Sequence, residues 1–137
     1  MPNTLTGSCH CRAVQYTITG EIKTVANCHC NTCRKTIGAA FQTIAFTEES
    51  NLDIRQGRES LAAYQVSENA TKHFCRTCGT PVFNTHKMFP GHCMVVLGSL
   101  DDPSLVTPAV NVFCENMLPW VKEIAALPSF DKEPPRK

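Results

Sequence analysis

Three cysteine groups carry most of the side chains in this sequence that are able to do chemistry: Cys9-His10-Cys11, Cys28-His29-Cys30-Asn31-Thr32-Cys33 and Cys75-Arg76-Thr77-Cys78-Gly79. Thiolates at such close spacing are metal ligands by type, because a soft sulfur anion suits Zn²⁺ and a short loop aims several sulfurs at one point. If Cys9-His10-Cys11 is extended, its two sulfurs share a face, since side chains alternate with period 2. Cys75-x-x-Cys78-Gly79 is a knuckle in which glycine lets the turn close. Each pair supplies half of a tetrahedral four-cysteine set. Joining the two pairs makes a closed, structural zinc site that ties the start of the chain to its middle, a long loop whose closure entropy the metal bonds must offset.

The second group, Cys28-x-Cys30-x-x-Cys33, brings three thiolates to three vertices of a tetrahedron and leaves the fourth without an assigned side chain. An open vertex is the mark of a catalytic zinc, since water or a substrate atom can occupy it. Three thiolates leave the ion with a local charge of about −1, which weakens it as a Lewis acid but still lets it take a further soft ligand, such as a thiol. Cys93 precedes an apolar strand and Cys114 follows one, so both read as buried small hydrophobes rather than a fourth ligand. His10 and His29 point away from a metal held by the flanking cysteines, which gives them supporting or solvent roles. His73, His86 and His92 read as surface or core residues.

These groups need a scaffold. At 137 residues the chain is one domain by length, expected over 1–130, with residues 131–137, rich in proline and charge, as a disordered tail. Short β-prone runs recur at Ala13 to Thr19, Phe41 to Phe46, Leu61 to Val66, Met94 to Leu100 and Ala109 to Phe113, with turn residues between them. No apolar period of 3.6 persists over three turns, and the best helical candidate is Asn31 to Ile37. A mainly β fold with little helix follows. Phe41, Phe46, Phe74 and Phe83 read as core, and Trp120 as a core anchor.

Composition narrows the function classes. A formal charge of +1 with scattered Lys and Arg makes no electrostatic case for nucleic acid or an anionic membrane. No apolar run approaches a membrane span, and the residues from Met1 to Ser8 lack the basic start and apolar run of a secretory signal, so a cytoplasmic address is expected. Nine cysteines, an odd number, in a reducing compartment favour metal ligation over disulfides. Seven thiolates subtract seven charges and two Zn²⁺ add four, taking the formal +1 to −2.

The ordered motifs Gly7-Ser8-Cys9-His10-Cys11, Cys28-His29-Cys30-Asn31-Thr32-Cys33-Arg34-Lys35, Phe74-Cys75-Arg76-Thr77-Cys78-Gly79-Thr80, Gly98-Ser99-Leu100-Asp101-Asp102-Pro103 and Leu118-Pro119-Trp120 resemble the glutathione-dependent formaldehyde-activating enzyme family, which includes the zinc domain of centromere protein V. The resemblance implies a zinc-stapled β-tent fold. It also implies two zinc ions per chain, with Cys9, Cys11, Cys75 and Cys78 on a structural ion and Cys28, Cys30 and Cys33 on a catalytic one. The implied reaction adds a small thiol, glutathione, to formaldehyde, which is a carbon-sulfur lyase reaction in reverse. Asn111 stands where many relatives carry His. Lys23, Arg34, Lys35 and Arg55 are candidates for glutathione's carboxylates, with solvated surface charge as their ordinary role. Two other functions compete: a non-catalytic zinc-binding interaction module, whose second site would be closed by a protein ligand, and a thiol redox or zinc-buffering protein.

Overall fold

The computed structural model describes residues 4–136. Met1 to Asn3, at the start of the expected domain, and Lys137 of the expected tail lie outside the described residues. Strand makes up 41% and helix 21%, so the chain is mainly β. The helical share is one α-helix, α1 (Asn31–Ile37), and short 3-10 segments. In α1 a left-handed Gly38 caps the C-terminus, as only glycine does without strain.

Among the described residues ten strands form two sheets: β1 (Thr4–Ser8), β2 (Gln15–Thr19), β3 (Ile22–Cys28), β4 (Gln42–Glu48), β5 (Leu52–Gln56), β6 (Leu61–Gln65), β7 (Ala70–Cys75), β8 (Pro81–His86), β9 (His92–Val96) and β10 (Val110–Val112). The small sheet runs β1-β2-β5 and the large one β10-β3-β4-β9-β8-β7-β6. All neighbours pair antiparallel except β10 and β3, which run parallel with Val112 opposite Cys28.

Period-2 alternation divides the large sheet into two faces with different tasks. Ala45 pairs with Val95 and Thr47 with Cys93, and these four are fully buried. Ala45, Val95 and Cys93 pack with Val25 of β3, with Tyr16 and Ile18 of β2 and with Val14 just before it to make the core. The intervening residues, among them Ala26, Cys28, Gln42, Ile44, Phe46 and Met94, line a cavity on the other face.

The small sheet is braced against the segment after β9. Gly7 bridges Leu100, Asp101 N–H donates to the Thr6 carbonyl at 2.9 Å, and Thr6 Oγ1 donates to Asp101 Oδ2 at 2.7 Å. Tyr16 Oη lies 2.6 Å from Ser99 Oγ. A Cβ on Gly7 would stand 2.3 Å from the Tyr16 ring, so this close approach excludes any other residue.

Several expectations change. The run Met94 to Leu100 is strand only to Val96; Leu97–Ser99 turns as a 3-10 segment to place Ser99 beneath Tyr16. The expected strand Ala109 to Phe113 shortens to Val110–Val112 because Phe113 takes a left-handed φ of 56°, which ends the pairing. Trp120 is 48% exposed and is not a core anchor. Phe83 is buried, whereas Phe41, Phe46 and Phe74 are half-buried, Phe46 because it faces the cavity rather than the core. Cys93 is buried as expected, but Cys114 begins an exposed 3-10 turn after β10.

Candidate metal centres and the adjoining cavity

The first sulfur group joins two turns. Cys9 follows β1 directly, and Arg12 N–H donates to the Cys9 carbonyl at 3.0 Å with Arg12 at φ 66°. Cys9 to Arg12 is therefore a tight turn rather than the extended segment expected, and the turn, not strand alternation, brings Cys9 Sγ and Cys11 Sγ to 3.6 Å. Cys75 ends β7; Gly79 N–H donates to its carbonyl at 2.8 Å, and Gly79 sits at φ 82°, the left-handed geometry for which glycine was expected. The two turns are stitched together where His10 N–H donates to Thr80 Oγ1 at 3.0 Å.

Cys11 Sγ stands 3.8 Å from Cys75 Sγ, and the sulfurs of Cys9, Cys11, Cys75 and Cys78 all lie within 4.8 Å of one another. A Zn–S bond of about 2.3 Å sets the sulfurs of a tetrahedron roughly 3.8 Å apart, so this donor set fits zinc. Cys9 and Cys75 are buried while Cys11 and Cys78 reach the surface. The Thr80 hydroxyl, 3.2 Å from Cys78 Sγ, is the main cause that pulls the Cys78 thiol down to about 5.

The second group is built from one continuous segment. Cys28 ends β3, Cys30 caps α1 through its sulfur, which accepts from Cys33 N–H at 3.2 Å, and Cys33 lies in the first helical turn. The three sulfurs lie within 4.8 Å of one another. Cys33 Sγ donates to Cys28 Sγ at 3.2 Å; that bond is the main cause holding the Cys28 thiol down to about 6, while Cys33 is pushed up. These separations lie beyond disulfide bonding, and all nine cysteines are free. Among the described residues no further His, Cys, Asp or Glu joins this set.

Neighbours hold the segment in place. Gln42, 3% exposed, donates from Nε2 to Cys33 Sγ at 3.4 Å, and Asn84 Nδ2 donates to Gln42 Oε1 at 3.3 Å. Sequence reading missed both; the available signal was a polar residue at an inward position of an otherwise β-prone run. Arg34 Nη1 donates to the His29 and Asn116 carbonyls at 3.2 Å each, so this arginine clamps the loop to the segment after β10. His29 is buried, as a residue turned away from the sulfurs; its Nε2 lies 3.2 Å from Asn111 Oδ1, which also accepts from Asn27 Nδ2. The side chain at position 111 thus orders the loop between Cys28 and Cys30. His29 Nδ1 has no partner among the described residues.

His10 is exposed, and His73, His86 and His92 join neither group. His73 stacks on Phe83 and His92 on Phe46, while His86 Nδ1 accepts from Met88 N–H. Beside the three-sulfur group lies a cavity of about 860 Å³ whose walls include all three cysteines, Gln42 and the outer face of the large sheet.

No helix among the described residues is long and apolar enough to cross a membrane. No curated protein matches the chain. The fold resembles the crystal structure of a Rhodobacter sphaeroides protein, with TM-score 0.65 and 26% sequence identity over 79% of this chain and all of that one. The family model for the glutathione-dependent formaldehyde-activating enzyme matches residues 4–116, a span that takes in both sulfur groups and the strands that carry them. The chain belongs to the glutathione-dependent formaldehyde-activating enzyme family.

Proposed function

We propose that the chain is a zinc-dependent enzyme of the carbon-sulfur lyase class, making or breaking an adduct between a small thiol, glutathione or similar, and an aldehyde such as formaldehyde. The observation that carries this reading is a three-sulfur group with no fourth ligand-type side chain among the described residues, set in the wall of a cavity. On this reading Cys9, Cys11, Cys75 and Cys78 hold a structural zinc, and Cys28, Cys30 and Cys33 hold the second. Zinc at the second site supplies a soft Lewis acid that favours the thiolate form of a substrate near neutral pH.

The chain's own residues then do the positioning. Cys28, Cys30 and Cys33 fix the direction of the open vertex, Gln42 and Asn84 hold Cys33, and the cavity gives the substrate room beside the sulfurs. In the net reaction a sulfur electron pair forms the C–S bond, the C=O π pair moves to oxygen, and the thiol proton ends on that oxygen. Nothing is oxidised. The functional unit on this reading is 1–130, with 131–137 outside it, and the free thiols suit a reducing compartment, the cytoplasm.

Cobalt replacement of zinc tests the reading. Glutathione should change the ligand-field and charge-transfer bands of the second site, Cys33→Ser should remove that response, and formaldehyde should be consumed faster than in buffer. If thiols leave the bands unchanged while a protein side chain completes the tetrahedron, the chain is an interaction module instead. Reversible oxidation of Cys28, Cys30 and Cys33 with zinc release, and no adduct formation, would make it a zinc buffer.

A further inference from the structure

The cavity beside Cys28, Cys30 and Cys33 has a composition that bears on which thiol the site takes. Its floor is the outer face of the large sheet, where Ile44, Phe46 and Met94 present their side chains, and its rim carries Met88, Phe89 and Phe113, which are 69%, 47% and 58% exposed. Phe46 and Phe89 meet edge to face at 5.2 Å and form an aromatic wall. Among the described residues no lysine, arginine, aspartate or glutamate lines the cavity. Its polar atoms come from threonines, Ser67, Gln42, Asn84, His86 and the thiols themselves.

Glutathione carries two carboxylates and an ammonium, and an ionised carboxylate taken out of water requires a cation or several donors. The cations named for this role in the sequence, and Lys72 beside α1, are engaged or do not line the cavity. Arg34 is held by two backbone carbonyls, and the Lys72 ammonium donates to the Thr36 carbonyl and sits 5.4 Å over the Phe74 ring. Lys23 pairs with Glu21, Arg55 pairs with Asp53, and Lys35 does not line the cavity. A volume of about 860 Å³ is ample for a small organic molecule.

We propose that the second site selects an uncharged thiol with an apolar or aromatic tail, its sulfur directed at Cys28, Cys30 and Cys33 and its tail laid along Ile44, Phe46 and Met94, in preference to glutathione. This rests on the lyase reading and specifies its thiol. Soft sulfur chemistry at one end and an uncharged apolar trough at the other define the two ends of one ligand. Burial of each added methylene in the trough strengthens binding by about two- to fourfold, fourfold being the effect of full burial.

The full chain, cobalt-loaded at the second site, is titrated with ethanethiol, butanethiol, hexanethiol, benzyl mercaptan and glutathione, with the cobalt bands as readout and hexanol as a sulfur-free control. Affinity should rise from ethanethiol to hexanethiol by about two- to fourfold per methylene. Benzyl mercaptan should bind at least tenfold tighter than glutathione, and hexanol should leave the bands unchanged. Val110 lines the cavity at the sheet edge and is 48% exposed, so Val110→Lys should fold; it should weaken hexanethiol and strengthen glutathione. Met94→Ala should flatten the chain-length trend.

Glutathione binding as tightly as benzyl mercaptan, with no dependence on chain length, overturns the apolar-thiol assignment and leaves the lyase reading standing. Hexanol competing as well as hexanethiol also overturns it, because the trough would then bind without reference to sulfur. Bands unmoved by every thiol overturn both readings together.

Discussion

The two sulfur groups differ in how far the chain travels to assemble them and in what surrounds them. Cys11 and Cys75 are 64 residues apart in sequence and meet only when the small sheet docks on the large one. Cys28, Cys30 and Cys33 share one segment, and α1, Gln42 and the Arg34 clamp hold that segment without any help from a metal. On the proposed function, metal bonds at the first group would contribute to folding directly, because the unfolded chain lacks the site. On the same reading, metal bonds at the second would contribute little to folding and would leave the ion free to exchange a ligand beside a cavity. On the proposed function, a closed set formed over a long range and an incomplete set formed locally would divide stability from chemistry within one small domain.

The largest effect expected from this division is on melting temperature. Cys75→Ser should remove one ligand of the four-sulfur set at a fully buried position and destabilise the fold by about 4 kcal/mol or more, the range reached when a structural metal is lost. Cys30→Ser should change stability by less than about 1 kcal/mol, since serine is itself a strong N-cap and can replace the sulfur that caps α1. Thermal melts of the two variants, with zinc content measured alongside, check both. Equal falls in melting temperature would break the comparison and show that both groups staple the fold.

The contrast between the groups was legible in the sequence to different depths. Ligand-type spacing marked all seven cysteines that the fold gathers, because two- and three-residue spacings allow few other uses. The short helix Asn31–Ile37 was equally plain. Strands β3, β7 and β8 were harder to see: Thr24, Thr71, Asn84, Thr85 and His86 face the cavity, so the simple alternation of apolar and polar residues is lost. Strand β1 and the turn after it were hidden for another reason. Gly7 lies within a strand only because Tyr16 needs the room a side chain would fill, and Arg12 takes a left-handed φ that no local rule for arginine would suggest. Trp120 shows the reverse error, since a lone tryptophan reads as core by size but ends up half in solvent.

A smaller effect should separate the groups through their surroundings. Gln42 touches the second group alone, by its bond to Cys33 Sγ, and is itself held by Asn84. Removal of a side chain that orients a metal ligand typically lowers metal affinity 10- to 100-fold. Gln42→Ala should therefore weaken zinc at Cys28, Cys30 and Cys33 by roughly that factor and leave the four-sulfur site unchanged. Competition with a coloured chelator, which resolves a weak and a tight zinc, measures both at once. Weakening of the tight zinc by the same factor would mean that the two sites communicate through β4 and are not independent.

The finest discrimination comes from counting thiols that react with a disulfide reagent at pH 8. In the zinc-loaded native protein only Cys114, exposed after β10, should react at once. Cys11 and Cys78 are also exposed, so their silence reports metal on the first group rather than burial. A mild chelator should then release three more thiols, Cys28, Cys30 and Cys33, before any loss of fold. Denaturation should expose the rest of the nine. Cys93 should be among the last to react, because its burial pushes the thiol up to about 12 from an ordinary 9.0 and keeps it protonated at the pH of the assay. The sign extends to stability: the unfolded thiol ionises near 9.0 and the folded one near 12, so the contribution of Cys93 to the fold is complete below pH 9.0 and fades as pH rises toward 12. Release of all seven clustered thiols in one step at low chelator would show a single cooperative metal unit, and the division between a stapling group and a reactive one would have to be abandoned.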